Sequence, residues 1–274
     1  MRSIFLLFVL GIGIILSLFI KIPSSQSSSI NKIISLSPSH TQTLDYLNLG
    51  NKIIAISSFD TDLYYQDRIK IAGGIYFDEE KLLELSPDLI IIGDIQKNNT
   101  SVAFLESKGI KTLTLKTISF QDIYQSILDL QELFPQIISD TIVSNYLQEW
   151  QYIQNTPISN TRSALIVLSI DPVYSISTNN YLNELYAYSG WNNVVKTTAP
   201  YPIFDEEKLR SLSPVDDLII SSFLTNELAS ISNIQKQINA KNIVIISNTS
   251  INLPSPYLLS IIKELRIIQS SLVD

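Results

Sequence analysis

The chain has 274 residues, 45% of them hydrophobic, and a formal net charge of −7. That is enough apolar material for two modest α/β domains or one large one, and the acidic balance excludes a surface for nucleic-acid phosphates. There is no cysteine and a single histidine, His40, which excludes disulfides, thiolate metal sites, a cysteine nucleophile and a multi-histidine metal centre.

The first predicted segment covers residues 1–29. Met1-Arg2-Ser3 opens with a positive charge, and 4–20 is an uncharged apolar run. As a helix that run would span about 26 Å, a little short of a hydrocarbon core of roughly 30 Å. Lys21 and Pro23 end it, and a serine-rich stretch follows at 24–29. Two readings stand: a cleaved secretory signal, or an uncleaved membrane anchor at 4–20 with a flexible tether. Both place the remainder in the periplasm or another extracytoplasmic space. Without a cysteine, a lipid-modified anchor is not expected.

Residues 30–118 read as an α/β lobe. Strands are predicted at 33–36, 53–57, 89–92 and 112–115, and helices at 41–49, 78–85 and 102–108. Short strands alternating with helices imply a parallel sheet wrapped by helices.

Within this lobe, residues 77–92 read FDEEKLLELSPDLIII, and residues 204–220 read FDEEKLRSLSPVDDLII. The copies open with six identical residues, offset by 127 positions (204 minus 77). Asp78 and Asp205 are placed as N-caps, with Glu79, Glu80, Glu206 and Glu207 in the first turns, where the helix dipole favours negative charge. Ser-Pro stops each helix, and an apolar strand follows. Such a pattern also arises by convergence on a good capping sequence, but duplicated lobes account better for the length of the identity.

Residues 119–159 read as a helical connector. Ser119 and Asp122 form a capping box. Phe120, Ile123, Ile127, Leu130 and Phe134 keep a helical period, Pro135 interrupts it, and a second helix is expected from about 140 to 155. Such a connector is stiffer than paired extended strands and should limit closing motions. The second lobe, 160–274, is predicted to carry strands at 164–168 and 243–246, helices at 181–189 and 256–272, and the second repeat copy.

The segment KIISLSPSHTQTLDYLNLGNKIIAISS at 32–58 resembles the opening of the helical-backbone, class III substrate-binding proteins of ABC importers, the class that serves vitamin B12, siderophores and haem. The repeat copies resemble that family's glutamate-helix-strand segments. Residues 171–174, DPVY, and 198–202, TAPYP, resemble segments of its vitamin B12-binding members. The resemblance runs from about residue 32 to the C-terminus. It implies two Rossmann-like lobes joined by the long helical connector, a ligand cleft between them and no catalysis. The implied ligand is bulky, a cobalamin or other corrinoid first, a ferric siderophore or haem next. The implied partner is a dimeric ABC permease with its ATPase. Departures fall in cleft loops: Gln42 stands where the family often has Glu, and 60–64 read Asp-Thr-Asp-Leu-Tyr in place of Asp-Tyr-Pro-Pro.

Open α/β sheets bind ligands at the C-terminal ends of their strands. This selects Ser37, Pro38 and His40 after the first strand, Phe59 and Tyr64 after the second, Tyr76 before the first repeat helix, Tyr174 after the strand at 164–168, and Tyr201 before the second repeat helix. Aromatic residues at matching positions of two lobes suit a flat ligand. Glu80 and Glu207 match the family's glutamates that meet permease arginines, a two-point latch. No metal site and no resident cofactor are expected. Two other readings stay open: an orphan membrane-tethered sensor of the same fold, and a hydrolase with carboxylates across the cleft. The second lacks a Gly-x-Ser-x-Gly nucleophile motif, and His40 has no evident catalytic partner.

Overall fold

The computed structural model describes residues 29–71 and 77–272. The predicted leader, up to residue 28, and Tyr76 lie outside the described residues. Among the described residues no helix is long and apolar enough to cross a membrane.

The first sheet consists of β1 (Ile33–Ser35), β2 (Ile53–Ser57), β3 (Ile69–Ile71), β4 (Leu89–Gly93) and β5 (Lys111–Leu115), ordered β3-β2-β1-β4-β5 and parallel throughout. The helices α1 (Pro38–Tyr46), α2 (Glu79–Leu85) and α3 (Thr100–Ser107) lie on the connections. Ile33, Ile34, Ile90 and Ile91 have no exposure, so the central strands are covered on both faces, and continuous apolar runs are what such strands require. Helix α1 starts three residues earlier than the sequence predicts, because Pro38 occupies its first turn, where the fixed φ helps and the missing N–H costs nothing. Strand β3 was not predicted; it is three residues long, at the sheet edge.

The connector contains α4 (Phe120–Leu133) and α5 (Asp140–Asn155). The predicted capping box is present, with Ser119 accepting from the Asp122 amide at 3.1 Å and Asp122 accepting from the Ser119 amide at 3.0 Å. Phe120, Ile123, Ile127 and Leu130 form the buried face of α4, and Val143, Tyr146, Trp150 and Ile153 that of α5.

The second sheet consists of β6 (Arg162–Ile170), β7 (Val173–Ser175), β8 (Trp191–Asn193), β9 (Ile203–Phe204), β10 (Asp217–Ser221) and β11 (Asn242–Ile246). Its order is β11-β10-β6-β7-β9, with β8 paired to the start of β6. Strands β11, β10 and β6 are parallel, while β7 and β9 are an antiparallel arm that the sequence did not reveal. The helices are α6 (Tyr181–Tyr188), α7 (Glu206–Ser211), α8 (Leu228–Gln237) and α9 (Leu258–Ser270).

Each repeat copy lies in its own sheet, α2 leading into β4 and α7 into β10. Asp78 and Asp205 cap the two helices, accepting from the Lys81 amide at 3.1 Å and the Lys208 amide at 2.9 Å. The lobes also meet directly. The segment entering α9 reaches α1, with Ser255 donating to Gln42 at 2.8 Å and the Tyr257 hydroxyl donating to Asp45 at 2.9 Å. The other oxygen of Asp45 accepts from buried Tyr65 at 2.6 Å, and a Cβ at Gly50 would collide with that tyrosine hydroxyl. Tyr46 and Tyr257 add an edge-on ring contact at 5.5 Å.

Candidate functional site

A cleft of about 570 Å³ lies between the lobes, within the usual range of small-molecule sites. The first lobe lines it with loops that follow its parallel strands: residues 36–40 after β1, Phe59 after β2, 93–96 at the end of β4, and Thr117 with Ile118 after β5. The second lobe contributes residues 179–181 at the start of α6, Pro200, Tyr201, and 252–254 after β11.

The turn after β1 is held by its own hydroxyls. Thr41 donates to Ser35 at 2.9 Å, Ser35 donates to the Ser37 carbonyl at 3.1 Å, and the Ser37 and Ser39 hydroxyls lie 2.9 Å apart. His40 sits in the first turn of α1 and is buried. Burial lowers its pKa to about 4, against a partly compensating hydrogen bond to the Leu115 backbone, so the ring is neutral at pH 7. Among the described residues its buried Nδ1 has no hydrogen-bond partner.

Phe59 is 65% exposed and Tyr201 55% exposed, so one aromatic from each lobe leaves surface open in the cleft. Ile95 and Ile118 add further exposed apolar surface. Tyr181 is buried behind them, its hydroxyl donating to the Ile251 carbonyl at 3.3 Å, and burial holds that phenol above its ordinary range.

Of the residues selected from sequence, the structure brings Ser37, Pro38, His40, Phe59 and Tyr201 together in this cleft. It does not bring two others. Tyr64 is an exposed residue stacked edge-on against Tyr65 at 5.0 Å. Tyr174 is drawn into the antiparallel arm, where β7 pairs it with Ile203 of β9. The DPVY segment instead borders a second cavity, of about 680 Å³, built by the second lobe alone and lined by Asp171, Pro172 and Val173. Glu80 and Glu207 stand exposed on the first turns of α2 and α7, and among the described residues neither makes a salt bridge.

Sequence reasoning missed Asp94, Ile95, Thr117 and Ile118 in the first lobe, and Asn179, Asn180 and Asn252 in the second. The signal for the first four was available, because they follow β4 and β5 as Ser37 follows β1. Among the described residues no group of histidines or carboxylates is arranged to hold a metal ion.

Two lobes around such a cleft, spanned by α4 and α5, define the helical-backbone, class III substrate-binding fold. The chain is 20% identical to the periplasmic vitamin B12 binding protein BtuF of Vibrio cholerae, whose crystal structure superposes with a TM-score of 0.74 over 90% of this chain and 99% of that one. In sequence it is 29% identical over 187 residues to the vitamin B12-binding protein of Vibrio vulnificus strain CMCP6, covering 65% of this chain and 67% of the relative. It is also 25% identical over 200 residues to an uncharacterized ABC transporter substrate-binding lipoprotein, YvrC, of Bacillus subtilis, covering 70% of this chain and 63%, under two thirds, of that protein's length. No protein-family model matches the chain.

Proposed function

We propose that this chain is the extracytoplasmic solute-binding component of an ABC importer, which captures a corrinoid such as cobalamin and delivers it to a dimeric permease. The observation that carries the reading is the inter-lobe cleft, with Phe59 and Tyr201 offering aromatic surface from opposite lobes. The relatives named as B12 binders and as an ABC substrate-binding lipoprotein support it. A binding role without catalysis fits the carboxylates, since Glu80 and Glu207 lie on exposed helical turns and outside the cleft.

The test is an absorbance titration with cyanocobalamin. An aromatic contact contributes roughly 0.5–1.5 kcal/mol beyond burial, so Tyr201→Ala and Phe59→Ala should each weaken binding by roughly two- to twelve-fold. Tyr174→Ala, outside the cleft, should leave affinity unchanged. A wild-type protein that takes up neither cobalamin nor an iron chelate removes the reading.

Delivery would use Glu80 and Glu207, which occupy equivalent positions of the repeat, one on each lobe. Their relation by a pseudo-two-fold would match the symmetry axis of a permease dimer, with each carboxylate accepting from an arginine. The variant Glu80→Ala with Glu207→Ala should lose permease docking, at about 2–5 kcal/mol for each desolvated pair, while ligand affinity stays the same.

A further inference from the structure

Among the described residues that line the cleft, Asp94 is the one that carries a full charge. The other polar groups there are uncharged hydroxyls and carboxamides, including exposed Asn179 and Asn252. Lys97 and Lys116 flank the lining in sequence without forming part of it. Asp94 is exposed, opens the short 3-10 turn Asp94–Gln96, and makes no salt bridge among the described residues. His40, buried and neutral, adds no positive charge.

We propose that the cleft selects by charge, accepting ligands of zero or positive net charge and rejecting polyanions, with Asp94 as the specificity-determining residue. The inference rests on the cleft being the ligand site.

The physical reason is desolvation. A ligand carboxylate that enters a partly buried cleft gives up water and must find a cation or several donors in exchange. Here it would meet the exposed Asp94 carboxylate, and like charges brought together at an interface disfavour binding. The net charge of −7 adds a repulsive field outside, screened over about 8 Å at physiological ionic strength. A ligand ringed by amides loses little, because carboxamides such as Asn179 and Asn252 both donate and accept. A cationic ligand gains the unpaired carboxylate. The chemical class is therefore a neutral or cationic macrocycle or chelate with an amide periphery, such as a corrinoid. A ring bearing free carboxylates, such as haem, falls outside it.

The test titrates the full chain with three probes: cyanocobalamin, which is uncharged, aquacobalamin, a cation, and haemin, which carries two carboxylates. Wild type should bind both cobalamins, the cation more tightly by roughly two- to five-fold, as for an exposed charge pair, and that margin should shrink as salt rises. Haemin should bind at least about ten-fold more weakly. Asp94→Asn should equalise the two cobalamins, and Asp94→Lys should invert their order and improve haemin binding. Haemin bound as tightly as cyanocobalamin by wild type overturns the charge selection while leaving the importer reading intact, as does a cation preference that survives Asp94→Asn. Failure to bind any of the three overturns the corrinoid reading and the inference together.

Discussion

In the first lobe, Asp88 stands just before β4 and its exposed carboxylate accepts from the backbone amides of Asn31 and Lys32, at 2.8 and 2.9 Å, as the chain enters β1. In the second lobe Asp216 does the same work ahead of β10. It accepts from the amide and the hydroxyl of Ser163, at 2.9 and 2.8 Å, near the start of β6. The copies then diverge. Where Leu89 begins β4, the second lobe has Asp217, fully buried at the start of β10. Asp217 takes a bidentate pair from Arg162, both contacts at 2.6 Å, and also accepts from Trp191 at 2.8 Å and Asn242 at 2.9 Å. One repeat thus ends in an apolar strand closed by a surface cap. The other ends in a buried ionic cluster that ties β6, β8, β10 and β11 together. The capping half of the motif is local and is the same in both copies, whereas the strand half differs with its neighbours.

The strongest way to break this comparison is Asp217→Ala. Removing one partner of a buried pair typically costs about 3–5 kcal/mol, because Arg162 would be left uncompensated. Asp88→Ala, which removes only an exposed backbone cap, should cost about 1 kcal/mol. Urea denaturation of the two variants checks both values, and similar losses would mean that the two ends of the repeat are equivalent after all.

A second difference is in acid sensitivity. His40 in the first lobe titrates near 6.5 when unfolded and near 4 when folded, so the folded state binds fewer protons between those values. Stability should be undiminished above pH 6.5 and should fall as pH drops from 6.5 to about 4, by about 3 kcal/mol in total. Asp216 in the second lobe is held well below the usual carboxylate range, first by Lys241 and then by Ser163. Its contribution is present above the ordinary value of 3.8 and is lost only as pH falls below it. The two losses therefore occupy separate windows, and His40→Asn should flatten the upper one in a plot of unfolding midpoint against pH.

Contacts between the lobes contribute less. Asp45→Ala strands the buried Tyr65 hydroxyl and should cost about 2 kcal/mol, while Tyr257→Phe, which removes the inter-lobe bond alone, should cost about 1 kcal/mol by thermal or chemical unfolding. The smallest expected effect is that of Glu80→Ala and Glu207→Ala on stability, close to zero, since both side chains are exposed and the aspartate caps remain.

The sequence by itself determined the elements whose signals are local. Asp-Glu-Glu caps marked both repeat helices, the Ser119–Asp122 box marked α4, and the apolar runs at 89–92 and 164–168 marked central strands, because caps and periodicity act within a few residues. Phe59 and Tyr201 were legible for the same reason, standing next to predicted elements. The structure alone decided the antiparallel arm of β7 and β9, whose two short strands pair across nearly thirty intervening residues, and so it alone removed Tyr174 from the cleft. Helix α8 carries Ile231 and Ile234 at helical spacing, but its N-cap Glu227 makes no side-chain capping bond, which left it without a local start signal. Asp94 and Ile118 follow predicted strands and were within reach of the strand-end rule, but Asn179 and Asn252 come from loops of the other lobe, and only the tertiary packing decides which loops meet in one cavity.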